Sequence, residues 1–284
     1  MTSAQTGAPD YDARIRRAKY LGAVHSFATE VMTFYGHLAA FQKHLYAQLP
    51  KRNNRDLVAP SAADFRSHLD LALLVPHFPD LLSLLQRAGP APVADAARQL
   101  SLQGPAAWIS FLTDYWSIEW SAGHSPSEDE QPASEALTEF ILRVFLQPYA
   151  ELLAAGRPAP QLETTPRVCP ICNSAPLLGV LRPEGDGGRR CLVCSFCLQE
   201  WNFRRILCPT CGEEAENKLP VYVAEQLPHI RVEACDTCKS YLRTIDLTKD
   251  GHAVPVVDDL AAIPLTLWAA EHGYSRPHPN LLGT

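Results

Sequence analysis

The chain has 284 residues, of which 46% are hydrophobic and 20% charged, and its formal net charge is −6 at pH 7. This length allows a substantial hydrophobic core and two domains, whereas the acidic balance argues against a general affinity for nucleic acid. The sequence shows neither an apolar run of about 18 residues nor a secretory signal at its start. We therefore expect a cytoplasmic protein that does not insert into a membrane.

Helices are predicted throughout residues 1–165. Between residues 11 and 49 apolar side chains recur at steps of three and four, which is typical of one long amphipathic helix, and Pro50 ends it. A capping serine or prolines near the start of later apolar segments predict further helices. These cover residues 61–75, 79–87, 92–100, 105–120 and 133–155. The aromatic side chains of residues 105–120 are predicted to lie in the core.

A break at residues 155–166 is predicted to end the helical domain. After it come short runs rich in Val, Leu, Ile and aromatic residues, separated by turn residues, which indicate β-ribbons. These runs cover residues 176–182, 189–193, 200–207, 218–223, 229–234 and 240–247. The last apolar stretch, residues 258–271, predicts a C-terminal helix. Because Pro264 lies inside this stretch, a helix start nearer Ala262 is an alternative.

The nine cysteines all lie between residues 169 and 238, and eight of them form four Cys-x-x-Cys pairs. In a reducing compartment such grouped thiols are more often metal ligands than disulfides. Two pairs together supply four sulfurs, which suit a tetrahedral zinc or iron ion. The predicted metal ligands are Cys169, Cys172, Cys194, Cys197, Cys208, Cys211, Cys235 and Cys238.

The order of the four pairs indicates one unit used twice, with similar spacings and an aromatic residue, Trp201 or Tyr241, after the second pair of each unit. Repeated units tend to close on themselves. We therefore expect the first two pairs to share one metal and the last two pairs to share another. An interleaved arrangement, first pair with third, is the alternative. Cys191 and Cys194 also have the Cys-x-x-Cys spacing, and a site that used this pair would leave Cys197 spare. We interpret Cys191 instead as a small buried residue beside the site.

A shell of four sulfurs has no open position for a water molecule, so metal-assisted hydrolysis is not expected. Iron in such a shell can transfer one electron, whereas zinc would be structural. The sequence also has no glycine-rich phosphate loop and no nucleophile elbow. We predict that the protein is not an enzyme.

Five segments resemble a known family, the formate dehydrogenase accessory proteins (FdhE). They read CPICNSAPLLGVL, CSFCLQEW, RRILCPTCGE, EACDTCKSYLRTID and VDDLAAIPLTLWAAEHGYSRPHPNLL. The resemblance covers about residues 166–284, while the N-terminal half is similar mainly in its helical character. It implies a helical domain followed by rubredoxin-like ribbons with two four-cysteine iron sites. Cys191 departs from the family pattern, which has an aromatic residue there.

The resemblance also implies a function. Such proteins assist, in the cytoplasm, the maturation of respiratory formate dehydrogenases, whose catalytic subunit they bind before export by the twin-arginine route. We accordingly predict a maturation factor with two metal ions per chain, iron being preferred and zinc the alternative, especially in recombinant protein. A redox-active electron-transfer protein using that iron is the second hypothesis. A nucleic-acid-binding zinc-ribbon protein is the third, and the charge balance argues against it.

The predicted fold is a multi-domain α+β chain. It consists of an all-α N-terminal domain, two tandem rubredoxin-like or zinc-ribbon β domains that bind metal, and a C-terminal helix. The predicted boundaries are residues 1–165 for the helical domain, 166–207 for the first ribbon, 208–247 for the second ribbon and 248–284 for the helix and tail.

Overall fold

A computed structural model describes residues 8–50, 62–117, 133–155, 157, 165–185 and 187–283. Helices form the first part of the chain, and a six-stranded sheet followed by two helices forms the rest, which confirms the predicted fold class. The N-terminal helices are α1 (Tyr11–Val24), α2 (Thr29–Gln48), α3 (Ala62–Ser67), α4 (Leu71–Leu74), α5 (Phe78–Ala88), α6 (Ala91–Gln103), α7 (Pro105–Ser117) and α8 (Ala133–Ala154). Ser61 and residues 118–120, which the sequence assigns to helices, lie outside the described residues.

The long helix predicted over residues 11–49 is wrong, because the chain turns back on itself after α1. His25 is extended, with φ −122° and ψ 99°, and a short 3₁₀ turn precedes α2. The Thr29 hydroxyl donates to the Gly22 carbonyl at 2.8 Å, so α1 and α2 form a helical hairpin. Val24 and Phe27, which the periodicity places on a buried face, are about half exposed at its tip.

Helix α8 is the central helix of this region, and its residues 141–154 are all buried. It contains Pro148, whose missing N–H leaves the carbonyl of Val144 without its usual helical donor. The amide of Gln42 on α2 donates to that carbonyl at 3.0 Å. The helix therefore continues through the proline because its neighbour supplies the missing hydrogen bond. Helices α2, α6 and α7 pack around α8.

The sheet consists of six strands in the order β3-β2-β1-β6-β5-β4. Its strands are β1 (Pro176–Glu184), β2 (Gly187–Cys194), β3 (Glu200–Asn202), β4 (Val221–Val223), β5 (Ile230–Ala234) and β6 (Tyr241–Asp246). Each half of the sheet is a three-stranded antiparallel ribbon. All six lie where the sequence predicts strands, although β3 and β4 are only three residues long.

The two ribbons join through β1 and β6, which pair in parallel. Gly179 on β1 lies opposite Thr244 on β6, and a Cβ added to this glycine would come within 2.2 Å of the Thr244 Oγ1. Close approach of the two strands at this seam therefore requires glycine. The ribbons follow one another in the same strand order, so the sheet is a tandem repeat. The predicted domain boundaries within it stay a prediction.

The chain ends in two helices, α9 (Pro255–Ala261) and α10 (Ile263–Glu271), where the sequence predicts one. Pro264 explains the difference, because it occupies the first turn of α10 and stops α9 from continuing. Helix α9 packs against α1, α2, β1 and β6 and so lies between the helical region and the sheet. None of the described helices combines the length and the apolar character that crossing a bilayer requires.

Candidate metal centres

The four Cys-x-x-Cys pairs share one backbone turn. In each, the N–H of the first cysteine donates to the carbonyl five residues later. The distances are 2.8 Å for Cys169 to Ser174, 2.9 Å for Cys194 to Gln199, 2.8 Å for Cys208 to Glu213 and 2.8 Å for Cys235 to Ser240. The residue after the second cysteine has a positive φ in every turn, namely Asn173, Leu198, Gly212 and Lys239. The sequence indicates this conformation at Asn173 and Gly212, which accept it readily, but not at Leu198 and Lys239.

The first cluster contains the sulfurs of Cys169, Cys172, Cys194 and Cys197. Three of its Sγ–Sγ distances are 3.3, 3.5 and 3.6 Å. These are far longer than a disulfide bond of about 2.05 Å, and the cysteines are free. A tetrahedral ion with bonds of about 2.3 Å places its sulfurs about 3.8 Å apart. The spacing therefore fits an ion at the centre of this cluster.

The second cluster contains the sulfurs of Cys208, Cys211, Cys235 and Cys238. Cys208 and Cys238 are 3.8 Å apart, and Cys211 and Cys235 are 3.6 Å apart. These distances fit a tetrahedral ion as well. The eight sulfurs thus gather in two groups that follow the tandem order of the sequence rather than the interleaved alternative. Each group can hold one metal ion, and the identity of that ion is not fixed by the sulfur geometry.

Hydrogen-bond donors surround the sulfurs of both clusters. Backbone N–H groups donate to the Sγ of Cys169 at 3.4 Å and of Cys194 at 3.3 Å. The Ser240 hydroxyl lies 3.0 Å from the Sγ of Cys238 and offers its proton to a thiolate. Burial raises the pKa of the Cys169 and Cys197 thiols. Without a cation these two sulfurs would keep their protons, so binding of a metal ion there must release them.

The helical region covers the first cluster. Phe196, which lies inside the second cysteine pair, packs against Trp116 at a ring-centroid distance of 5.3 Å and against Tyr115 at 6.2 Å. Arg143 of α8 donates to the carbonyl of Ser195 at 2.9 Å. These aromatic contacts place residues of the segment 105–120 in the core, as the sequence predicts. They also attach one cysteine pair directly to the helices.

Cys191, the ninth cysteine, lies on β2 outside both clusters. Its Sγ is 3.5 Å from the side-chain oxygen of Asn202 on the neighbouring strand. Burial, followed by the nearby carboxylate of Glu200, raises the pKa of the Cys191 thiol to about 12. It is therefore a protonated, unreactive side chain beside the first cluster, in agreement with its interpretation as a small buried residue.

Buried charges between the helices and the sheet are the feature that the sequence did not reveal. Arg17 of α1 contacts Asp250 at 2.7 Å and Asp258 at 3.0 Å, and His229 lies 2.8 Å from the same Asp258. His229, Asp250 and Asp258 could by geometry hold a metal ion, but the Arg17 guanidinium already supplies the cation. The adjacent carboxylates of Asp258 and Asp259, at the start of the predicted C-terminal helix, are the sequence signal for these buried charges.

Asp259 is the centre of a second buried network. Its carboxylate contacts Arg243 at 2.8 Å and Arg276 at 3.0 Å, and it accepts a hydrogen bond from Asn280 at 3.0 Å. Burial by itself raises the pKa of Asp259, but the two arginines outweigh it and the pKa is lowered overall. The carboxylate is therefore ionised and ties β6, α9 and the C-terminal tail together.

A helical region followed by two four-cysteine ribbons in one sheet defines a class of two-site, rubredoxin-like proteins. Family models for the FdhE central domain and the FdhE C-terminal domain match residues 168–205 and 206–282. The crystal structure of the FdhE protein from Pseudomonas aeruginosa superimposes with a TM-score of 0.68 and 28% identity, covering 97% of this chain and 96% of that one. Residues 168–282 of the chain thus match the FdhE family, and the fold is similar to that of the P. aeruginosa protein along nearly the whole chain.

Curated relatives support the same assignment. A protein FdhE homolog from Aquifex aeolicus is 34% identical over 155 residues, which are 54% of this chain and 55% of the relative. A protein FdhE homolog from P. aeruginosa is 35% identical over 178 residues, which are 59% of this chain and 54% of the relative. The chain thus spans about half the length of the curated relatives that it matches.

Proposed function

We propose that the protein is an accessory factor for the maturation of a respiratory formate dehydrogenase. It binds the catalytic subunit of that enzyme in the cytoplasm before export and catalyses no reaction of its own. The observation that carries the proposal is that both four-cysteine clusters lie within the residues matched by the FdhE domains. A partner-binding role also agrees with closed sulfur shells that leave no position for a substrate.

In this proposal the eight paired cysteines are the metal ligands, two ions bind per chain, and iron is the preferred ion. The ions shape the surface that the partner recognises. The ribbons are small and bury little apolar surface, so metal binding is expected to supply much of their folding free energy. By analogy with structural zinc, that contribution is on the order of 10 kcal/mol per site.

Co-purification from cells that make formate dehydrogenase tests this function. The tagged full-length chain should capture the catalytic subunit, and the double variant Cys208→Ser/Cys211→Ser should lose it because the second ribbon unfolds locally. Cys191→Ser is the matched control, since this cysteine lies outside both clusters, and it should capture the subunit normally. Normal capture by the double variant would show that partner binding does not depend on the second metal site.

Deletion in cells is the second test. Removing the gene should lower formate dehydrogenase activity, and restoring the wild-type chain should recover it. If the enzyme stayed fully active without this protein, the maturation role would be refuted.

Electron transfer through iron is a second candidate function, and the exposure of Cys211 favours it because an electron carrier needs a centre near the surface. Iron held by four thiolates accepts one electron, whereas zinc does not. Protein prepared without air should then show visible absorption that bleaches with dithionite. A colourless protein with two zinc ions and normal partner capture would exclude electron transfer and leave the accessory role intact.

A further inference from the structure

The two clusters share one turn geometry but have opposite environments. In the first cluster every cysteine is at most 2% exposed, and all four belong to the main hydrophobic core. In the second cluster Cys211 is exposed and Cys238 is partly exposed. Its cysteines belong to none of the hydrophobic clusters that the described residues form. The sulfurs of the first site are therefore buried, although a cleft of about 530 Å³ reaches Cys197, whereas the second site has sulfurs at the surface.

The residue before the second cysteine of each pair accounts for the difference. In the first cluster this residue is Ile171 or Phe196, both buried against the helical region. In the second cluster it is Thr210 or Thr237, and Thr237 is exposed. Bulky apolar side chains at this position draw the first cluster into the core, whereas threonine leaves the second cluster at the surface.

A cleft of about 290 Å³ adjoins the second cluster. Cys208 and Cys235 line it on one side, and its charged lining consists of three arginines, among them Arg205 and Arg231, and two glutamates. The cleft brings solvent next to two of the four sulfurs, and Arg231 is paired with a glutamate of the same lining.

We propose that the second cluster is an exchangeable metal site, which takes up and releases its ion through Cys211, with the thiolate of a protein partner as donor or acceptor. The first cluster keeps its ion as part of the core. This inference rests on the proposed metal binding. Release begins as the partner's sulfur bonds to the ion and the bond to the Cys211 Sγ breaks. Further partner thiolates displace the other three cysteine sulfurs in the same way, and each freed cysteine thiolate takes a proton from water. The oxidation state of the ion does not change.

Zinc release from the full chain tests the proposal. Protein loaded with two zinc ions is mixed, without air, with excess 4-(2-pyridylazo)resorcinol, whose colour reports each ion that leaves. We expect two phases of equal amplitude, with rates at least about tenfold apart, because release from the first cluster requires local opening of the core. Reduced glutathione, as a small thiolate, should accelerate the fast phase and leave the slow phase unchanged.

Thiol labelling assigns the phases to the clusters. After the fast phase, N-ethylmaleimide followed by peptide mass spectrometry should label the four cysteines of the second cluster and none of the first. Cys211→Ser should bind one zinc ion firmly and show only the slow phase. Cys191→Ser should show both phases, since it changes no cluster.

Three results would contradict metal exchange at the second cluster, and a fourth would contradict metal binding itself. A single release phase, early labelling of the first cluster, or a fast phase indifferent to glutathione each contradicts exchange at the second cluster. A folded chain that binds no zinc or iron at all would instead refute the proposed metal sites. The two failures are therefore distinguishable from the metal content alone.

Discussion

The helical region and the sheet region are stabilised in different ways. In the helical region the buried set is mainly apolar, with Phe78 and Phe145 fully buried around α8, and it includes the ion pair of Arg14 with Glu151. In the sheet region the buried set includes the first sulfur cluster and the ion pair of Arg243 with Asp259, whose side chains are both 0% exposed. Both regions combine hydrophobic packing with buried ion pairs, and the sheet region adds the buried sulfur cluster.

Element size explains the contrast. The strands are only three to nine residues long, and a single ribbon of this size by itself buries little apolar surface. Buried ion pairs do not supply the missing hydrophobic stabilisation, since the cost of desolvating the charges offsets most of their attraction. Metal removal should therefore unfold the sheet region and leave the helices largely formed. Four expected outcomes test how the helical region and the sheet region are stabilised.

The largest effect is expected from Cys172→Ser, which removes a ligand from the first cluster. The change should cost a large part of the metal contribution, which is on the order of 10 kcal/mol. Metal content should fall from two ions to one, and limited proteolysis should cut the sheet region. Far-UV circular dichroism should retain most of its helical signal. Loss of the helical signal together with the metal would show that the two regions fold as one unit.

Phe145→Ala should have the next largest effect, and on the other region. Phe145 is fully buried and stacks edge-on against Phe78 at 4.8 Å, so its truncation leaves a cavity that costs about 3–5 kcal/mol. Chemical denaturation should show a lower midpoint, while metal analysis should still find two ions per chain. A variant that also lost metal would contradict the expectation that the first cluster, whose cysteines lie in the same hydrophobic core, tolerates the loss of this ring.

Gly179→Ala tests the seam between the ribbons. The added methyl group would meet Thr244 Oγ1 at 2.2 Å, and such overpacking costs about 1–3 kcal/mol. Thermal unfolding should occur at a lower temperature. The double variant Gly179→Ala/Thr244→Ala removes the clashing hydroxyl and should recover most of the loss. If the double variant were no more stable than the single one, the clash at the seam would not be the cause.

The smallest effect is a pH dependence from His278 in the C-terminal tail. Burial, followed by the charge of Arg143, lowers the pKa of His278 from 6.5 to about 3. Between these two pH values the unfolded chain binds the proton and the folded chain does not. The free energy of unfolding is therefore unaffected above pH 6.5 and decreases by about 1.4 kcal/mol for each pH unit below 6.5. Urea unfolding from pH 7 to pH 5 should show this slope, and His278→Gln should reduce it. Equal slopes in both proteins would exclude His278 as the source.

Local features of the fold could be predicted from the sequence because they depend on neighbouring residues. Each Cys-x-x-Cys pair specifies its own turn, and repetition of the pairs indicates which sulfurs gather. Proline at the first turn likewise indicates where helices begin.

Contacts between distant residues could not be predicted in this way. The parallel seam at Gly179, the bond from Gln42 to Val144 and the ion pair of Arg17 with α9 join residues far apart in the chain. The helix break at His25 has the same origin, because packing of α1 on α2 outweighs a continuous local pattern.

The place of Phe196 between two cysteines has a consequence for newly made protein. Its ring covers Trp116 and Tyr115 only while the cysteine turn around it is formed. A chain synthesised under metal starvation would leave that aromatic surface open to water, and exposed aromatic surface is what chaperones and proteases bind. The cellular abundance of this protein should therefore follow the supply of its metal.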